Sequence, residues 1–180
     1  LRRWGIHIDD SGGQPLTELP VGTWLMLTAE MAEEALAPVT LLSFLKHPLM
    51  AASMPPDELR SMVYLLDELV LRGPRPSKGF QGLREAVAAL EYPKKSLFLW
   101  LDKIEGQMKE FVTLMASSAE APFHEILTQH IRMAETLATT TELHGALRLW
   151  QGEAGETAGE FLGSLLKSSR DVPPLSPEHY

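Results

Sequence analysis

The stretch Leu97-Phe98-Leu99-Trp100-Leu101-Asp102-Lys103-Ile104-Glu105-Gly106-Gln107-Met108-Lys109-Glu110-Phe111-Val112-Thr113-Leu114-Met115 sets the architecture. Leu97, Leu101, Ile104, Met108, Phe111 and Met115 step alternately by four and three, the apolar seam of a helix packed along another helix. The pattern breaks at Ala116-Ser117-Ser118-Ala119-Glu120-Ala121-Pro122. It resumes through Phe123, Leu127, His130, Ala134 and Leu137. Two such seams joined by a short loop predict an antiparallel helical hairpin. Each seam is under three full heptads, which favours a bundle over a free coiled coil.

The flanking sequence is helical too. Leu59, Met62, Val63, Leu66, Leu69 and Val70 recur at three- and four-residue steps. Pro56, Asp57 and Glu58 suit a first turn, Arg72 a last turn, and Gly73-Pro74 a stop, so a helix is expected over 56–72. Thr17 or Gly22 is expected to open a helix carrying Trp24, Leu25, Leu27, Met31 and Leu36. Pro38 starts the next, which Pro48 stops. A shorter helix is expected around Leu83, Val87 and Leu90. Near the end, Leu143, Leu147 and Trp150 predict a short helix broken by Gly152 to Gly155. Phe161, Leu162, Leu165 and Leu166 then predict a last helix before a proline-rich tail from Val172, expected to be frayed or cut. Only the start differs: Gly5-Ile6-His7-Ile8 alternates like a short strand, and Asp9-Asp10-Ser11-Gly12-Gly13 is turn chemistry. The fold class expected is all-α with a short N-terminal strand and turn.

Composition bounds the function. A chain of 180 residues, 44% hydrophobic and 22% charged, can bury a core and lies in the globular range. No stretch is apolar enough to span a bilayer, and Leu1-Arg2-Arg3-Trp4 does not lead into a signal peptide. The start without Met suggests a piece of a longer protein. The absence of cysteine removes disulfides and thiolate chemistry and fits a cytoplasmic location. A net charge of −8 repels phosphate on average, disfavouring a free-standing nucleic-acid binder.

Motifs for catalysis are scarce. There is no Gly-x-x-x-x-Gly-Lys-Ser/Thr loop to cradle a nucleotide. The six histidines stand at 7, 47, 124, 130, 144 and 179; His124, His130 and His144 could converge on a metal, but no spacing dictates it. His130 lies on the apolar seam and is expected to be a hydrogen-bonded core residue. Asp9-Asp10 before Ser-Gly-Gly favours a turn over a metal or acid–base pair. Glu33-Glu34 and Glu153/Glu156 are expected on solvated faces, and Trp24, Trp100 and Trp150 in the core. No catalytic residue, metal or cofactor is expected. One basic patch stands out: Arg72, Arg75 and Lys78 in the proline-rich connector, with Arg84 one helical stretch further on. Such a patch can hold DNA phosphates without reading sequence. The alternative is that Arg72 caps a helix and the others are solvated.

Leu41-Leu42-Ser43-Phe44-Leu45-Lys46-His47-Pro48-Leu49, preceded by Trp4-Gly5-Ile6 and Asp9-Asp10-Ser11, resembles the AddB family, the second subunit of bacterial AddAB helicase-nucleases. Pro15-Leu16, Pro20, Gly22-Thr23, Leu69-Val70-Leu71-Arg72-Gly73-Pro74-Arg75-Pro76, Trp150, Gly152-Glu153 and Gly155-Glu156 extend the resemblance across the chain. Gln14 and Ser53-Met54-Pro55 depart from it. The resemblance implies a helical subdomain inserted in a degenerate superfamily 1 helicase fold. Residues 1–22 would be the edge of a RecA-like domain, 23–170 the inserted helices and 171–180 a tail. It further implies an AddA-type partner subunit, DNA contact only in the intact complex, and a role in double-strand break processing and recombinational repair. It places the ATPase and nuclease sites outside this chain. A stand-alone protein-interaction domain using the 97–137 seam, and an enzyme built on His124 and His130, are the alternatives.

Overall fold

The computed structural model describes residues 15–180, so the expected strand at Ile6 and Ile8 and the Asp9-Asp10 turn lie outside the described residues. Eight α-helices follow in order: α1 Pro20–Glu33, α2 Pro38–Leu45, α3 Pro56–Leu66, α4 Gly79–Ala88, α5 Lys95–Met115, α6 Phe123–Ala138, α7 Gly145–Leu149 and α8 Gly152–Ser168. Among the described residues there is no sheet, only one isolated bridge between Ala121 and Leu175. The all-α expectation holds. Proline opens α1, α2 and α3 at the first turn, where its missing N–H has no helical partner to lose. The expected boundary at residue 22 falls inside α1.

Helices α5 and α6 pair as the seams predict. Leu97, Leu101, Ile104, Met108 and Phe111 are buried on one side, Leu127, His130, Ala134 and Leu137 on the other. Their direction is antiparallel: Phe111 stacks on His130, and Arg132 reaches Glu110 one step along. Helix α1 lies against this hairpin and against α2 and α8. Trp24, fully buried, stacks on Phe44 with ring centroids 5.1 Å apart and donates its indole N–H to the Ala134 carbonyl at 3.2 Å. Burial of such rings is the main favourable term in a core of this kind.

Four departures from the sequence pattern have physical causes. The expected 56–72 helix is α-helical only to Leu66. Asp67–Leu71 forms a π-helical turn, closed by Arg72 N–H on the Asp67 carbonyl at 3.1 Å. That turn buries Asp67, whose carboxylate takes Lys46 at 3.2 Å and Arg72 at 3.1 Å. Secondly, the expected break after the short helix falls at Trp150-Gln151, and Gly152 to Gly155 already begins α8. Gly152 has φ +69, and a Cβ on Gly155 would lie 2.5 Å from the Leu149 carbonyl oxygen, so the glycines let α8 start hard against α7. Thirdly, Leu149 rather than Leu147 faces the core from α7, and on α8 Leu162 is buried as expected while Phe161 is exposed. Finally, the tail is docked. Leu175 exchanges two backbone hydrogen bonds with Ala121, and Tyr180 reaches His130.

Residues 49–54 cross the end of α6 in a backbone that side chains rarely favour. Ala52 and Ser53 have φ +50 and +52, a conformation costing about 1–3 kcal/mol per residue unless the surroundings enforce it. They do so here. The N–H groups of Ala51 and Ala52 both donate to the Leu137 carbonyl, and that of Ser53 to Thr139 at 2.7 Å. From α5, Lys103 and Gln107 donate to the carbonyls of Ser53 and Ala52. The Leu137 carbonyl in the last turn of α6 and that of Thr139 just beyond it, which have no partner within the helix, are thereby satisfied.

Candidate functional site

The segment Lys46-His47-Pro48-Leu49 leaves α2, and its placement follows from three side chains. His47 stacks on Trp24 with centroids 5.2 Å apart. Its Nδ1 accepts the Leu49 N–H at 3.2 Å, which leaves the proton on Nε2 to donate to Thr23 Oγ1 at 3.1 Å. That is the neutral imidazole. Its pKa is lowered, first by burial and then by the positive charge of Arg148. Arg148, from α7, donates to three carbonyls: Leu49 at 2.8 Å, Ala138 at 3.0 Å and Pro48 at 2.7 Å.

Between this segment and α3 lies a cavity of about 580 Å³. Its walls include Leu45, Met50, Met54, Leu59 and Val63, and its polar lining includes Lys46, Arg60, Arg148 and Asp67. The Arg72 hydrogen bond, more than that of Lys46, holds the Asp67 carboxyl below the usual carboxylate range. Arg60 pairs with Asp57, but both side chains are largely in water, where such a pair contributes little. Burial lowers the pKa of Arg148, whose partners are neutral carbonyls rather than a carboxylate.

The connector patch is divided. Arg72 is held by Asp67. Arg84 turns toward α5, ion-paired with Asp102 at 2.7 Å and with Glu105. Two of the four cations, Arg72 and Arg84, are thus already paired with carboxylates of this chain. Arg75 and Lys78 are exposed, and neither forms an ion pair with another described residue. The connector itself is fixed at its far end, where Gly79 N–H donates to the Ala35 carbonyl at 2.9 Å.

The histidines have separate tasks. His144 caps α7, its Nδ1 accepting the Ala146 N–H at 3.3 Å. His130 is buried, as its seam position predicts. Its Nε2 donates to the Leu25 carbonyl at 3.0 Å and to Thr28 Oγ1 at 2.6 Å, while Thr28 donates to the same carbonyl. Nδ1 is then the acceptor for the Tyr180 hydroxyl at 2.8 Å. Burial lowers the His130 pKa to about 4. Among the described residues no three metal-ligating side chains come together.

Sequence spacing missed Arg148 and Asp67 because nothing local marks an arginine that grips carbonyls about a hundred residues away. The one available signal is the acid at position 67, on the buried side of an apolar pattern. Exposed large apolar residues include Val39 on α2, Leu99 on α5, Leu147 on α7 and Phe161 on α8. No helix among the described residues is long and apolar enough to cross a membrane. In comparisons with known proteins, no family model, curated protein or solved structure matches the chain.

Proposed function

We propose that this chain is a non-catalytic structural and DNA-channel segment of a helicase-nuclease subunit of the AddB type, acting with an AddA-type partner in processing double-strand breaks. The observation that carries it is how the residues of the resemblance meet in space. Thr23 of the Gly22-Thr23 pair accepts from His47 of the Leu45-Lys46-His47-Pro48-Leu49 run. A Cβ on Gly22 would sit 1.8 Å from the carbonyl oxygen of Leu16, another residue of the set, and Gly155 packs on Trp150. These residues do architectural work, as a scaffold requires. Arg72, Arg75, Lys78 and Arg84 are its candidate DNA-backbone contacts, and of these Arg75 and Lys78 form no ion pair with another described residue.

Association tests it. Co-expressed with an AddA-type subunit, the chain should co-purify with it, while binding a DNA end weakly or not at all alone. A stable homo-oligomer that ignores the AddA-type subunit would favour the stand-alone interaction domain instead. That alternative is weakened by the 97–137 seam, which is buried in the chain's own core.

A further inference from the structure

The cavity between the 46–54 segment and α3 has a composition opposite to that of the chain around it. The protein carries a net charge of −8, yet Lys46, Arg60 and Arg148 line this cavity against a single acid, Asp67. That acid is already flanked by Lys46 and by Arg72. Arg148 adds a charge that pairs with no carboxylate among the described residues, since its hydrogen-bond partners are backbone carbonyls. Beneath the cations the wall is apolar, with Met50, Met54, Leu59 and Val63. Methionine side chains adapt their shape to a bound apolar group at little cost.

We propose that this cavity binds a small amphiphilic carboxylate, its acyl or aryl body against Met50 and Met54 and its anionic head at Lys46, Arg60 and Arg148. The volume of about 580 Å³ falls in the usual range for small-molecule sites. Three cations around one already compensated acid select an anion over a cation or a neutral head. Arg60 is available to the ligand because its bond to Asp57 is solvent-exposed. Lys46, with its side chain 55% exposed, can serve both Asp67 and a bound head group. This assignment does not depend on the helicase-nuclease reading.

The test is a methyl NMR titration of the full chain, labelled at its 8 methionines, with decanoate, decanol and acetate. Decanoate should shift Met50 and Met54 saturably while leaving the surface residue Met26 and the buried Met108 in place. Decanol should bind about tenfold more weakly and acetate not measurably, since one lacks the head and the other the body. Lys46→Met and Arg60→Gln alter exposed side chains and should each weaken decanoate severalfold without moving the Met108 resonance. Equal binding of decanoate and decanol would overturn the ionic part of the proposal. An absence of saturable shifts at Met50 and Met54, or shifts of all methionines together, would overturn the site itself.

Discussion

The Tyr180 hydroxyl donates to Nδ1 of His130 at 2.8 Å across a sequence separation of 50, so the C-terminal segment completes a core hydrogen-bond chain. Nε2 of the same ring serves Thr28 and Leu25 on α1. Helices α1 and α6 and the tail are therefore joined through one imidazole. Burial raises the Tyr180 pKa, so the phenol stays a donor.

Tyr180→Phe keeps the ring packing and leaves Nδ1 without its donor. The expected loss of stability is about 1–3 kcal/mol, the penalty for a buried polar atom left unpaired. Urea denaturation of the two proteins measures it. An unchanged midpoint would mean that the tail contributes packing alone.

The pKa of His130, about 4 against 6.5 for the free side chain, gives stability a definite pH dependence. Between these values the unfolded chain holds a proton on this residue and the folded chain does not, so folding is favoured as pH rises. The contribution is fully present above 6.5 and is lost as pH falls toward 4, with a slope of up to about 1.4 kcal/mol per pH unit. Comparing the unfolding free energy of the wild type with that of His130→Gln across this window should isolate that slope. Equal slopes would show that the imidazole is protonated in the folded state.

Ile104 is 2% exposed at the centre of the α5 seam. Ile104→Ala should cost about 2–5 kcal/mol through lost burial and the cavity left behind. A near-zero change in thermal or urea unfolding would contradict the α5–α6 packing.

Two glycine-to-alanine changes should act in opposite directions. Gly106 lies exposed within α5, with nothing within 4 Å of an added Cβ, so Gly106→Ala should stabilise by about 0.5–1 kcal/mol. At Gly22 the added Cβ would fall 1.8 Å from the Leu16 carbonyl oxygen. Gly22→Ala should therefore displace residues 15–18 or destabilise the protein. Thermal unfolding of both variants provides the check.

Charge reversal at Arg75 and Lys78 addresses the proposed DNA path. In a complex with the proposed AddA-type partner the double change should weaken DNA binding and reduce its salt dependence, because phosphate contacts release counterions. An unchanged salt slope would identify the connector as a solvated link. Reversal at Arg84 would instead break its pairs with Asp102 and Glu105 and report on the α4–α5 contact.

Much of the bundle was legible along the chain because it is governed by local rules. Alternating steps of four and three from Leu97 to Phe111 specify one buried face, and proline at positions 38 and 56 marks helix starts, whereas α1 opens at Pro20 and not at the expected Thr17 or Gly22. His130 could be placed in the core because it occupies a seam position. Contacts between distant segments were not legible in this way. The docking of Tyr180, the grip of Arg148 on Pro48 and Leu49, and the pairing of Arg84 with Asp102 depend on which polar groups are left unpaired once the helices have packed. The positive φ at Ala52 and Ser53 is likewise enforced by the end of α6 and the side chains of α5, since neither residue favours it alone. Periodicity can assign a face to each helix, but the need to satisfy buried carbonyls and charges arises only when faces from separate parts of the chain meet.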